Sequence, residues 1–171
     1  MGLRNGVLFV LMGLIWGSSF AWIKVAIQEI GPFTLVALRL LFGALGGLLI
    51  LLLYRPPLPR RRAEWLALAL VGLTNTAFPF VLISWGEQTV DSSVASVLNS
   101  SIPLFTLPIA HFMLADERIS ARKLVGLLIG FSGVLVLISR DLRLEGLTEN
   151  MVGQLAILLA TLLYAFSGVF V

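Results

Sequence analysis

The chain has 171 residues, 58% of them hydrophobic and only 12% charged. A soluble domain is about half apolar and a quarter charged, so a soluble globule is excluded for want of polar surface. Cysteine is absent, His111 is the one histidine, and the net charge is +3. Disulfides, thiolate or paired-histidine metal sites and a thiol nucleophile are therefore excluded. The basic residues sit in loops between apolar runs, where they report membrane orientation and not a nucleic-acid partner.

Arg4 precedes a first apolar run from Gly6 to about Ile27. With no small-residue cleavage site after a short core, it reads as an uncleaved first span. Gly31-Pro32 opens the second run, which continues to Leu53 and is stopped by Arg55-Pro56-Pro57-Leu58-Pro59. The third run covers Trp65 to Trp85, and a polar loop from Gly86 to Ser93 separates it from the fourth, Val94 to Leu114. The fifth covers Leu124 to Ser139 and borrows Ala121 to Lys123 as a snorkelling end. After the loop from Arg140 to Asn150, a sixth run starts near Met151 and is still apolar at Val171. Each run is of membrane-spanning length for a helix, and a β-barrel would need short alternating strands instead. The expected fold is an all-α, polytopic membrane helix bundle with helices at about 6–27, 32–53, 65–85, 94–114 and 121–139, and a sixth helix interrupted by the chain end.

On the side of the N-terminus the loops hold Arg4, Arg55, Arg60, Arg61, Arg62, Arg118, Arg122 and Lys123. The other side holds Lys24, Arg140 and Arg143 against Glu29, Glu87, Asp91, Asp141, Glu145 and Glu149. The basic excess places the N-terminus in the cytoplasm. The first, third and fifth helices then run outward, and the sixth runs antiparallel to the first.

Gly13-Leu14-Ile15-Trp16-Gly17-Ser18-Ser19 lines up with Thr161-Leu162-Leu163-Tyr164-Ala165-Phe166-Ser167. An aromatic, a small residue and a serine fall in step. The step of five spans, an odd number, from the start of one copy to the start of the next makes the repeat inverted, which is how many secondary transporters build two mirror-related states around one site.

The chain resembles the drug/metabolite transporter superfamily, specifically its EamA-type family. The resemblance rests on Leu14-Ile15-Trp16-Gly17-Ser18-Ser19-Phe20 with Lys24, Pro32 with Arg39, Ala95-Ser96-Val97-Leu98, and Pro103-Leu104-Phe105-Thr106. It continues through Asp116-Glu117-Arg118-Ile119, Gly126, and Gly130 to Gly133-Val134. The resemblance implies a ten-helix carrier of two five-helix repeats. Residues 1–150 would be the first repeat and 151–171 the truncated first helix of the second.

At ~1.5 Å per residue across a ~30 Å core, Trp16, Ser18, Ser19, Asn75 and Pro103 fall near the midplane, with Asn99 somewhat further out. Such groups are costly against lipid. Pro79 frees the carbonyl of Asn75, Pro103 that of Asn99 and Pro108 that of Leu104. Trp16, Ser18, Ser19, Asn75 and Asn99 are therefore the expected substrate-binding residues, in a cavity between helices one, three and four. The bland alternative is that the prolines bend helices and the amides cross-link neighbours. Arg39 shares a face with Gly43, Gly46 and Gly47, and Lys24 one with Gly13 and Gly17. Glu87 and Asp91 lie level with both cations and could neutralise either. Lys24, Arg39 and Glu87 are expected to serve gating or charge pairing, an anchor for a substrate carboxylate being the other functional possibility. The glycine pairs Gly13/Gly17, Gly43/Gly47 and Gly126/Gly130 read as helix-packing contacts, and Asp116-Glu117-Arg118 as a cytoplasmic turn.

The function expected is secondary transport, outward, of small metabolites such as amino acids or related compounds, by alternating access. No phosphate-binding glycine loop occurs, so a gradient would supply the energy. An intramembrane serine protease is rejected, because His111 lies far in depth from Ser18 and Ser19. The remaining alternative is a non-transporting structural or interaction protein that assembles as a dimer. No cofactor or metal is expected. The expected partners are a small-molecule solute, the lipid bilayer, and the missing second half of the carrier or a second copy. The expected location is a plasma membrane of the bacterial inner-membrane kind.

Overall fold

The computed structural model describes residues 3–114, 119–138 and 151–170, and every regular element among them is a helix. The turn at Asp116-Glu117-Arg118, Ser139, the loop from Arg140 to Asn150, and Val171 lie outside the described residues.

The first helix, α1, spans Leu3–Ile30 and the second, α2, spans Pro32–Tyr54. One residue joins them. Gly31 holds φ 73° and ψ 160°, a backbone state open in practice to glycine alone. Its N–H still donates to the Ile27 carbonyl at 3.2 Å, and its own carbonyl accepts from Leu35 at 3.1 Å. Pro32 then starts α2 where its missing N–H costs nothing. α2 ends at Arg55, in the left-handed region with φ 45°, whose N–H closes on the Leu51 carbonyl ahead of the prolines.

α3 runs Arg62–Gly86. The Glu64 carboxylate accepts the N–H groups of Arg60 and Arg61 at 3.0 and 3.3 Å, satisfying donors at the helix entry. Partway along, Leu73–Ala77 forms a wider π turn, closed by Phe78 N–H on the Leu73 carbonyl. Pro79, which lacks an N–H, follows directly.

α4 spans Ser92–Met113 in two pieces, Ser92–Asn99 and Ile102–Met113. The fourth span expected from sequence is present, with a break after Asn99. Pro103 cannot donate to the Asn99 carbonyl. The hydroxyls of Ser100 and Ser101 bond instead to the Ser96 and Leu98 carbonyls, drawing the backbone out of the helical ladder. The helix restarts when Leu104 N–H finds the Ser101 carbonyl at 2.9 Å.

α5 is Ala121–Ile138 and α6 is Met151–Phe170. α1 from Arg4, α2, α3, α4 and α6 are each long and apolar enough to cross a membrane. Their outward faces carry large exposed apolar side chains, Phe9, Trp22, Phe42 and Leu53 among them. Water would not tolerate so much exposed hydrocarbon, whereas lipid does. The chain is a multi-pass membrane protein.

α6 is the most deeply packed helix, lying against the second part of α3 and the second piece of α4. It buries Gly153, Ala156, Ile157, Ala160, Thr161, Ala165 and Ser167. This is one helical stripe of mostly small residues, which lets backbones approach closely. A close approach pairs Gly86 of α3 with Gly153 of α6, where neither position has room for a Cβ. At Gly13, Gly17, Gly43, Gly47, Gly126 and Gly130 an added Cβ would meet nothing within 4 Å. The packing contacts expected of those glycines are not made among the described residues. A core cluster of Ile23 and Ile27 from α1, Ile83 from α3 and Ala160 from α6 seals the bundle.

Candidate functional site

A cavity of about 460 Å³ opens beside this core, bounded by α1, α2, α3, α4 and α6. Its size is within the ~300–1,000 Å³ usual for small-molecule sites. α1 supplies Trp16, Ser19, Phe20 and Ile23, spaced three or four residues apart so that one face looks inward. Trp16 stays 56% exposed, on the open side. α3 supplies Asn75 and Thr76 from its π turn, then Phe80 and Ile83. Widening the backbone for one turn shifts the side-chain register there, and such turns are frequent at functional sites. α4 supplies Asn99 and Ile102, the residues on either side of its break. Asn99 Oδ1 is buried with no hydrogen-bond partner among the described residues.

Arg39 of α2 also lines the cavity. Its guanidinium stacks on the Phe80 ring with 4.2 Å to the centroid, a cation–π contact that holds the planar group against an apolar wall. Among the described residues it makes no ion pair. Tyr164 of α6 completes the lining. Its ring lies against the core of Ile23, Ile27, Ile83 and Ala160.

Of the residues expected to bind substrate, Trp16, Ser19, Asn75 and Asn99 thus face one cavity. Ser18 lies off it, exposed, with its hydroxyl donating to the Ile15 carbonyl at 3.3 Å. Lys24 meets neither the cavity nor a carboxylate. Its ammonium donates to the carbonyls of Glu87 and Val90 at 2.6 and 2.9 Å, capping the turn after α3 and tying it to α1. Glu87 is fully buried, yet neither carboxylate oxygen has a hydrogen-bond partner among the described residues. Lys24 and Arg39 act on it through their fields and not by contact. Burial dominates, and pushes its carboxyl up to about 8. His111 accepts the Ile119 N–H at Nδ1, 3.3 Å away, and does not line the cavity.

Phe20, Thr76, Phe80, Ile102 and Tyr164 also line the cavity and are not among the site residues expected from sequence. Tyr164 did carry a signal: it aligns with Trp16 in the repeat expected from sequence, and both aromatics line the same cavity. The others are ordinary apolar or hydroxyl residues of a membrane helix. Nothing marks their direction until the bundle fixes each helix's rotation.

Comparison with known proteins identifies a family of membrane proteins. The EamA-like transporter family matches residues 4–139. The uncharacterized transporter YoaV of Bacillus subtilis is 31% identical over 157 residues, covering 92% of this chain and 53% of the relative. The uncharacterized inner membrane transporter YedA of Escherichia coli K12 is 33% identical over 168 residues, covering 96% and 52%. A protein of the same strain named "probable amino-acid metabolite efflux pump" is 29% identical over 170 residues, covering 99% and 54%. No solved structure matches the chain significantly. The chain spans about half the length of these curated relatives. By the match over most of its length and the helical bundle that carries it, the chain belongs to the EamA-like transporter family.

Proposed function

We propose that this chain is the first half of an inverted-repeat secondary carrier, which exports small metabolites such as amino acids or related compounds by alternating access. Residues 1–150 form one repeat, and 151–171 begin the second. The N-terminus is cytoplasmic, in a bacterial inner membrane. The observation that carries the reading is the pairing of Trp16 with Tyr164. They occupy matched places in the two copies of the repeat, and both line one cavity flanked by a π turn and a broken helix. Discontinuous helices meeting at a repeat interface are how many such carriers build their solute site. The similarity to an efflux pump named for amino-acid metabolites supports the solute class and the direction.

The test is counterflow of labelled amino acids in liposomes, with the protein in the length its host makes. Flux that collapses on replacing Trp16 or Asn75 by cysteine and labelling it with a polar thiol reagent is expected. No flux of any small metabolite would sink the proposal. Robust flux by the 171-residue chain alone would favour a pair of copies over two linked halves.

A further inference from the structure

Two of the cavity's polar groups, Arg39 and Asn99, are unspent in opposite senses, and together they specify a ligand. Arg39 brings a permanent positive charge and a fork of N–H donors into the cavity wall. Its one described contact is the face of Phe80, which uses none of those donors. Among the described residues no carboxylate lines the cavity. Glu87 lies behind the wall, near enough for its field to reach Arg39 but not within contact. Asn99 presents the opposite need, a buried Oδ1 acceptor with no donor. A guanidinium in a membrane bundle needs a counter-charge or a wet cavity. A buried amide oxygen needs an N–H or O–H. The rest of the wall sets the polar side chains of Ser19, Asn75 and Thr76 among aromatic and aliphatic ones, chiefly Trp16, Phe20, Phe80, Ile102 and Tyr164.

Resting on the transport reading above, we infer that Arg39 is the carboxylate anchor of the solute site, with Asn99 accepting a donor from the same solute. The class selected is a small carboxylate-bearing metabolite, zwitterionic or hydroxylated, with an apolar or aromatic body to lie along Trp16 and Phe80. A lipophilic cation is selected against. It would meet Arg39 without a lining carboxylate to offset the repulsion, and like charges so placed are a strong device of specificity. The planar fork suits a carboxylate in a way a lysine ammonium does not, so Arg39→Lys retains charge attraction and loses geometry.

The experiment measures binding to the protein in the length its host makes, in detergent, by Trp fluorescence and thermal shift. The probes are phenylalanine, 3-phenylpropionate, phenylalaninamide and tetraphenylphosphonium. Wild type is expected to bind both carboxylate probes at least about tenfold more tightly than phenylalaninamide, a charge-assisted contact being lost in the amide. Arg39→Gln should remove that preference, and Arg39→Lys should keep part of it. Asn99→Ala should weaken phenylalanine but leave 3-phenylpropionate unchanged. Equal binding of acid and amide by wild type overturns the anchor, as does binding of none of the probes. Should Arg39→Gln not fold, the wild-type probe ratios and Arg39→Lys still decide. Counterflow separates the two proposals. Carboxylates that bind but are never moved sink transport and leave the anchor standing. Cations and amides moved as well as acids sink the anchor and leave transport standing.

Discussion

Replacing Gly86 by alanine should drive α6 away from α3, and the geometry says by how much. A Cβ at Gly86 would stand 2.7 Å from the Gly153 carbonyl oxygen and 2.8 and 3.1 Å from Cγ1 and Cδ1 of Ile157. The carbonyl belongs to helical backbone and cannot swing aside, and Ile157 is fully buried. Ordinary contact begins near 3.4 Å, so α6 must retreat by about 0.7 Å. Such overpacking costs ~1–3 kcal/mol, offset by up to ~1 kcal/mol for removing a helical glycine. A net loss of about 1–2 kcal/mol is expected, read by denaturation in mixed micelles. Gly153→Ala meets Thr89 Oγ1 at 2.6 Å, Val90 Cγ2 at 2.9 Å and the Gly86 carbonyl oxygen at 3.0 Å across the same seam. Because either change opens that seam, the double variant should cost less than the two single losses added together. Gly13→Ala and Gly46→Ala, where a Cβ meets nothing within 4 Å, should be neutral or mildly stabilising. If Gly86→Ala falls within about 0.5 kcal/mol of wild type, the close seam between α3 and α6 does not exist as described.

Three further outcomes follow from single contacts. Gly31→Ala, at φ 73° and ψ 160°, should lose ~1–3 kcal/mol in the same denaturation assay, whereas Gly6→Ala should not. Lys24→Met removes the donor to the Glu87 and Val90 carbonyls and should cost about 2–3 kcal/mol; an unchanged midpoint would mean that the ammonium caps nothing. Glu87 sits just past the third span, and burial raises its carboxyl from 4.5 to about 8 against the opposing fields of Lys24 and Arg39. The folded chain then holds a proton that the unfolded chain has released, so wild-type stability should fall as pH rises between those two values. Glu87→Gln should abolish that slope and be relatively most stabilising above the upper value; parallel pH profiles for the two proteins would refute the assignment.

The helices were readable because membrane thickness demands long apolar runs, and because Gly31-Pro32 and the Arg55–Pro59 segment punctuate them unmistakably. What lay out of reach was rotation about each helix axis. A helix apolar on all sides carries no stripe to say which face meets a neighbour. Hence Gly13/Gly17 and Gly43/Gly47 looked like packing pairs, while the actual seam joins Gly86 to Gly153, two single glycines on different helices. Lys24 was read against Glu87 and Asp91 by depth alone. Its ammonium does reach Glu87, but the partial charges gathered at the end of α3 draw it to the Glu87 and Val90 carbonyls and not to the carboxylate. The polar residues Trp16, Ser19, Asn75 and Asn99 could be placed near one level because depth follows from counting residues. Ser18, one residue from Ser19, points elsewhere, since neighbours on a helix diverge by about 100°.

The position of the cavity can be argued from what the bilayer forbids. Irregular backbone at membrane depth survives where protein or a polar cavity covers it. The π turn of α3 and the break in α4 are separate departures from regular helix, written by different sequence: Pro79 after Asn75 in one, Ser100-Ser101 before Pro103 in the other. Arg39 on α2 is a third costly feature, a cation with no ion pair among the described residues. Each by itself has a structural explanation, a bend, a hydroxyl bonded to its own helix, or a stacked guanidinium. All three nevertheless border the same 460 Å³. Independent packing accidents have no reason to converge there, and the packing account must be invoked once for each. A water- or solute-filled site accounts for them together, because it repays irregular backbone, unpaired amide and unpaired charge in one place.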